Sequence, residues 1–252
     1  MVINNYVTID LETTGLSPKY EKIIELGAAR VRDGVLTDTF STFVNPGKNL
    51  PERIVELTGI TDSDIANAPY IEDVLKEFLD FLGDDVLLGH NLIFDFSFIK
   101  KAAVNQKITI DKQGIDTLRL SRRFLTALDS RRLGFLCEYY NIELYAHRAL
   151  NDAIATHELY QRLVTDFFDK EKDIFLPKKL IYNVKRESPV TQKQYEQIIR
   201  LANRYKVKIF EKENKVYMYP VENISNECID IWRLSKNEAS RLIDRLLANF
   251  GR

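Results

Sequence analysis

The sequence predicts an α/β protein: a mixed β-sheet covered by helices, with a small α+β module after it. Three observations carry that reading. Strand-like runs between residues 5 and 44 are joined by hairpin signals, so the sheet begins antiparallel. Between residues 85 and 168 short apolar runs alternate with stretches of helical periodicity, the pattern of strands connected through helices. Residues 171–190 then turn charged and aperiodic around Pro177 and Pro189. That linker composition separates a domain of residues 1–170 from a module of residues 191–252.

Tyr6, Val7, Ile9 and Leu11 make a β-branched and aromatic run suited to a buried first strand. Thr13-Thr14-Gly15 ends it, and Gly15 allows a tight turn or close approach to a ligand. Ile23 to Val31 reads as a second strand and Val35 to Val44 as a third, across the Asp33-Gly34 turn. Pro46-Gly47 and Pro51 punctuate a loop before a short helix from Glu52 to Leu57, which Gly59 can cap. Thr61 or Ser63 can cap the next turn. Ile71, Val74, Leu75, Phe78, Leu79 and Leu82 then recur at helical spacing.

Asp85 to Gly89 reads as a buried strand, followed directly by His90-Asn91. Phe94, Phe98, Ile99 and Ala102 mark an amphipathic helix with Asp95 in its first turn, where the helix dipole favours a carboxylate. Ile115 to Leu118 is a further short strand, and Leu118 to Ala127 and Leu133 to Tyr140 are helices. Asn151, as N-cap, opens a long helix to Phe168. In the last module Thr191 to Asn203 is helical. Val207–Phe210 and Val216–Tyr219 pair as strands across Glu213-Asn214. Ser235 with Glu238 forms a capping box for a helix through Leu247.

With 45% apolar and 29% charged residues the composition is ordinary for a globular protein. No apolar run reaches membrane-spanning length, and the N-terminus lacks a basic-then-apolar signal. A cytoplasmic protein with no membrane partner is expected. Cys137 and Cys228 lie far apart and fit free thiols of a reducing compartment. The net charge of −1 hides an asymmetry: residues 1–100 hold 8 Lys/Arg against 17 Asp/Glu, residues 170–215 hold 13 against 6. An acidic half before a basic segment suits an enzyme acting on a polyanion, although a basic segment is often only solvated surface. The same holds for Arg119, Arg122, Arg123, Arg131 and Arg132, read either as a phosphate track or as surface.

Four acids stand within or at the ends of regular elements: Asp10, Glu12, Asp95 and Asp152. Asp10 and Glu12 are two residues apart on one strand, so both carboxylates leave the same face. There they repel each other and resist desolvation, and a hard divalent ion is the usual remedy. On an edge strand the same two acids could simply be solvated. His147 precedes Asp152 by five residues, which puts it on the loop before that helix. An imidazole there can take the proton from an attacking water. Oxygen ligands select Mg²⁺ or Mn²⁺, and two such ions suit phosphoryl displacement.

Asp10-Leu11-Glu12-Thr13-Thr14-Gly15, then His90-Asn91 with Asp95, then His147 followed by Asp152, resemble the three motifs of the DnaQ-like (DEDDh) 3′→5′ exonucleases. The third motif matches the branch with histidine rather than tyrosine, and the likeness spans residues 5–168. It is greatest to the stand-alone and the polymerase III proofreading members of the family. The resemblance implies a ribonuclease H-like mixed sheet, with Asp10, Glu12, Asp95 and Asp152 holding two Mg²⁺ or Mn²⁺ ions and His147 as general base. It also implies substrate contacts. Leu16 would press on the terminal base, with the Thr13 backbone near the terminal sugar. Thr58 stands in a loop near the substrate and Asn91 beside His90, which itself either supports the site or touches substrate. His157 is expected on a helix face with no role in the chemistry.

The implied reaction releases nucleoside 5′-monophosphates from the 3′ end of nucleic acid, single-stranded DNA first, in proofreading or repair. A separate DNA polymerase is a candidate partner. An exoribonuclease, or a silent nucleic-acid-binding module of the same fold, are the alternatives. The silent reading leads one to expect a lost carboxylate or a lost His147, and none is lost. Zinc-dependent hydrolysis lacks His and Cys ligands at useful spacing. No activity is assigned to residues 191–252.

Overall fold

The strand around Asp10 forms as β1 (Tyr6–Thr13) in the computed structural model, which describes residues 2–144, 147–205, 207–212, 215–219 and 229–250. β1 pairs antiparallel with β2 (Ile23–Arg32), and β2 with β3 (Val35–Phe43). The hairpin turn Asp33-Gly34 has φ of 51° and 79°, the left-handed pair that such turns need. After β3 come α1 (Glu52–Thr58), α2 (Asp62–Ile65) and α3 (Ile71–Leu82). Gly59, at φ 68°, ends α1 as expected, and Thr61 caps α2. β4 (Leu87–Gly89) joins the other edge of β1 in parallel, and α4 (Leu92–Asn105) leads to β5 (Gln113–Asp116), parallel to β4. α5 (Thr117–Phe124), α6 (Leu133–Tyr140) and α7 (Ala149–Phe167) follow. Antiparallel β6 (Lys178–Lys179) completes the order β3-β2-β1-β4-β5-β6. The mixed sheet covered by helices is the predicted architecture.

The period of β1 sorts its side chains between two cores. Val7, Ile9 and Leu11 pack with Val74, Leu75 and Phe78 of α3 and Leu92, Phe96 and Ile99 of α4. Tyr6 joins the opposite cluster, with Leu120 of α5, Leu136 of α6 and Leu159, Tyr160 and Leu163 of α7. Each such large side chain, fully buried, contributes about 1.5–3 kcal/mol. The even-numbered positions of β1 therefore look toward α7.

Two boundaries move. The strand predicted at Ile115 to Leu118 lies earlier, because Asp116 caps α5 by accepting from the Leu118 and Arg119 amides. α7 begins at Ala149 rather than after Asn151, with Arg148 at the N-cap position.

The predicted linker, residues 171–190, is corrected in its first half. Phe175 is buried against Phe124, Phe168 and Tyr160, and Lys178–Lys179 pairs with β5. Arg119 Nη2 donates to the Ile174 carbonyl at 2.8 Å, and Arg123 pairs with Glu171 at 2.8 Å. Two of the five arginines of the cluster thus serve to hold this segment. One aromatic anchor, hidden in a charged stretch, outweighs the composition around it.

The chain divides into two compact units, residues 1–45 with 52–184, and residues 46–51 with 185–252. The second contains α8 (Gln192–Arg204), β7 (Lys208–Lys212), β8 (Lys215–Tyr219), β9 (Ile229–Asp230) and α9 (Lys236–Phe250). Ile198, Leu201, Ile231 and Leu242 form its core. The Ser235–Glu238 capping box is present, with Ser235 N–H donating to Glu238 at 2.8 Å. Residues 46–51 belong here because the Asp230 amide donates to the Gly47 carbonyl at 3.1 Å. The expected turn Glu213-Asn214, and Cys228, lie outside the described residues. Cys137 is a buried free thiol. Among the described residues no helix is long and apolar enough to cross a membrane.

Candidate active site

Thr8 Oγ1 donates to the Ala153 carbonyl at 2.8 Å and ties β1 to α7. Farther along the same face come Asp10 and Glu12, both half-buried. The start of α7 can approach this strand pair because Gly27 stands opposite Asp10. A Cβ at Gly27 would lie 2.2 Å from the Ala149 carbonyl carbon and 2.3 Å from the Leu150 nitrogen. Asp152, in the first turn of α7, is thereby carried to the two carboxylates. Asp95 enters from the first turn of α4, where its Oδ1 accepts the Leu11 amide at 3.1 Å. Asp95 and Asp152 are only 3% and 9% exposed, unusual for carboxylates with no cation beside them.

His147 is exposed and sits just before α7 with a left-handed backbone, φ 66°. Its amide donates to Asp152 Oδ2 at 3.1 Å. Ligating atoms of Glu12, His147 and Asp152 all lie within 4.8 Å of one another. The second oxygen of Asp152, Oδ1, is buried and has no hydrogen-bond partner. An unpaired buried carboxylate oxygen facing other acids is costly, and a hard divalent cation satisfies it. The donor set fits that group, and this cluster is a candidate metal site.

The crowding raises every one of these acids. Burial pushes Asp10 well above the usual carboxylate range, and the charges of Asp95, Asp152, Glu12 and Glu25 push further. Burial likewise raises Asp95. Glu12 is raised to about 8, by burial and then by Asp152 and Glu25, with Arg148 opposing. Asp152 is raised to about 6 by burial, against the lowering effect of the His147 amide. Folded carboxylates therefore hold protons that the unfolded chain releases, so stability is lost as the pH rises. For Asp152 the loss runs from 3.8 to about 6, and for Glu12 from 4.5 to about 8. His90 and His157, both lowered by burial, act oppositely, but only as the pH falls below the ordinary histidine value of 6.5. Between these limits the metal-free protein is expected to show a lower Tm at pH 8 than at pH 6.5. Divalent ion should restore it most at pH 8, where the ligands are ionised. Equal Tm values in metal-free buffer would contradict the crowding.

The residues read as substrate contacts divide. Leu16 is 86% exposed beside the cluster's strand, free to meet a ligand. Asn91, exposed, opens α4 at φ 68° and makes no side-chain cap. Thr13 Oγ1 is turned inward, donating to the Gly15 carbonyl at 2.8 Å. The Thr58 side chain is engaged within its own loop. It is buried, donates to the Ile54 carbonyl at 2.8 Å and accepts the Ile60 amide at 3.1 Å. For His90 the contacts favour the first of its two readings, support of the site, since its Nε2 meets the Arg131 carbonyl at 2.8 Å and its Nδ1 meets Thr117 Oγ1 at 2.9 Å. With both ring nitrogens engaged, it supports the strand end.

His157 lies on the buried face of α7. It is 7% exposed, and its Nδ1 meets Tyr6 Oη at 2.8 Å, an oxygen that Gln161 also reaches at 2.9 Å. His157→Ala should cost roughly 1–3 kcal/mol of stability, because Tyr6 loses a buried partner. Turnover per folded molecule should stay near normal. Thermal unfolding and kcat measured side by side check both halves.

Sequence reasoning passed over Gly27, Glu25 and Arg148. A glycine and an acid inside the otherwise apolar run Ile23 to Ala29 were the available signal.

Comparison with known proteins bears on the family and the fold. The RNase T family model, described as Exonuclease, matches residues 7–160. The PolC-type DNA polymerase III of Clostridium perfringens is 42% identical over 157 residues, 62% of this chain and 11% of that protein. The Bacillus subtilis protein of the same name is 41% identical over 169 residues, 66% of this chain and 12% of that one. The chain thus spans about a tenth of the length of these relatives. Among solved structures, the nuclease domain of 3′hExo, a DEDDh family member bound to rAMP, superposes with a TM-score of 0.58 at 20% identity. It covers 71% of this chain and 98% of its own. Exonuclease X in complex with 5′-overhanging duplex DNA gives 0.54 at 23% identity, covering 68% and 99%. At that identity the two structures speak for the fold. With the family model spanning residues 7–160 and all three motifs in place, the chain belongs to the DnaQ-like exonuclease family.

Proposed function

We propose that this chain is a metal-dependent 3′→5′ exonuclease acting on single-stranded DNA ends and releasing nucleoside 5′-monophosphates. The observation that carries the reading is the buried, unpartnered Asp152 Oδ1 beside the converging ligating atoms of Glu12, His147 and Asp152. Asp10, Glu12, Asp95 and Asp152 would hold the cations, two Mg²⁺ or Mn²⁺. When bound, such ions stabilise the attacking and leaving oxygens of an in-line displacement. His147 accepts at its ring the proton of the attacking water. Its exposure gives it access to that water, while the backbone bond to Asp152 fixes its place. Water oxygen forms the new bond to phosphorus, and the bond to the 3′-oxygen of the shortened strand breaks. Leu16 packs against the terminal base, and the turn after Thr13 borders the terminal sugar. DNA is favoured over RNA because the relatives carry the name of a DNA polymerase. By the same likeness a DNA polymerase is the proposed partner.

The test is digestion of matched single-stranded DNA, duplex DNA and RNA, each labelled at the 5′ end, with Mg²⁺ or Mn²⁺. A ladder shortening from the 3′ end of the single-stranded DNA, abolished by chelator, is expected. Undiminished activity in chelator, or zinc as the sole functional metal, would sink the metal assignment. Faster loss of RNA would move the substrate class.

A further inference from the structure

β2 buries Ile23, Ile24, Leu26, Ala28 and Ala29, and among them Glu25 is 1% exposed. A carboxylate so placed persists only with its oxygens paired. Glu25 Oε1 accepts from Arg148 Nε at 3.2 Å and from Arg148 Nη2 at 3.1 Å. Its Oε2 accepts the Ala149 amide at 3.1 Å. Arg148 and Ala149 are the N-cap and first residue of α7, and His147 directly precedes them. The Arg148 side chain does not cap its own helix, so Glu25 supplies the acceptor from another strand. The guanidinium also lies over the Phe43 ring, 5.0 Å from its centre.

We propose that Glu25, acting through Arg148 and Ala149, is a positioning residue that holds His147 over the acid cluster. The proposal rests on the reading of His147 as the base. Glu25 faces Glu12 directly in the β1–β2 register, yet with both oxygens occupied it is not a further ligand. A left-handed backbone at a histidine stands only when its surroundings impose it. Here two restraints act on that residue: its own N–H bond to Asp152, and the Glu25 clamp on the next two residues. Asp152 has a further tether beyond the clamp, Thr8 bonding the Ala153 carbonyl one residue on. Release of the clamp therefore frees the histidine more than the carboxylate. Glu25→Gln keeps the volume but turns one acceptor into a donor, and so loses either Arg148 or Ala149.

The experiment measures kcat, KM and Tm for Glu25→Gln and Arg148→Lys in the full chain, each with His147 present and with His147→Ala. Amide hydrogen exchange at His147 and Ala149 is followed in the same metal-free proteins. Glu25→Gln is expected to lower kcat on the order of 10- to 100-fold, the scale of a misplaced catalytic group, with KM little changed. With His147→Ala it should cost almost nothing more, because the group it positions is gone. Arg148→Lys, with a single point donor, should fall between. Equal losses in both backgrounds mark a merely structural role and overturn the proposal. So does a raised KM at constant kcat, which would make Arg148 a grip on substrate phosphate. If His147→Ala leaves the rate untouched, the base assignment fails, and exchange decides the clamp. Unchanged protection at Ala149 and His147 in Glu25→Gln then overturns it, and lost protection upholds it. Should Glu25→Gln fail to fold, Arg148→Lys carries the same comparison.

Discussion

Asp10→Ala is expected to abolish hydrolysis, with kcat reduced by at least about 10³-fold, because residues that act as a unit lose nearly everything together. Asp10 is the member of the cluster on which the charges of Asp95, Asp152, Glu12 and Glu25 all bear. That crowding marks the place where a cation gains most and where the folded protein suffers most without one. The fold should survive the change, since Asp10 stands on the opposite face of its strand from the core residues Val7, Ile9 and Leu11. Without metal the variant should even unfold at a higher temperature than the parent, through relief of repulsion. The Tm gain on adding Mn²⁺ should shrink with the rate. Near-normal turnover in Asp10→Ala would remove the basis of the metal site.

His147→Ala is expected to slow turnover on the order of 10²–10⁴-fold, the usual worth of a general base, with affinity for single-stranded DNA preserved. The ring is exposed, so the loss is chemical rather than a matter of packing. The backbone needs a control, because alanine is strained at φ 66°. Asparagine tolerates that conformation and lacks the basic nitrogen. His147→Asn should therefore be as slow as His147→Ala. If asparagine restores the rate, the histidine serves only to hold the turn. Single-turnover measurements at saturating strand separate this from binding.

Much of the molecule is determined by local rules that a sequence displays. The alternation of Tyr6 to Thr13 alone sends Asp10 and Glu12 to one face, and the Asp33-Gly34 turn alone requires a hairpin. Asp95 and Asp152 were legible because carboxylates favour the first turn of a helix, and three motifs in order are far more specific than one. Other features depend on what approaches from a distant part of the chain, and no period records that. Phe175 turns a charged linker into part of the first unit only because Phe124, Phe168 and Tyr160 surround it. His90, Thr58 and His157 are as polar as any ligand on paper, yet their atoms are taken by Arg131, Ile54 and Tyr6. Glu25 and Arg148 stand 123 residues apart and become a pair only when α7 settles against Gly27. Local pattern sets which residues carry charge at the ends of which elements. Tertiary structure decided which of those charges are paired, because burial makes pairing obligatory and only packing supplies the partner.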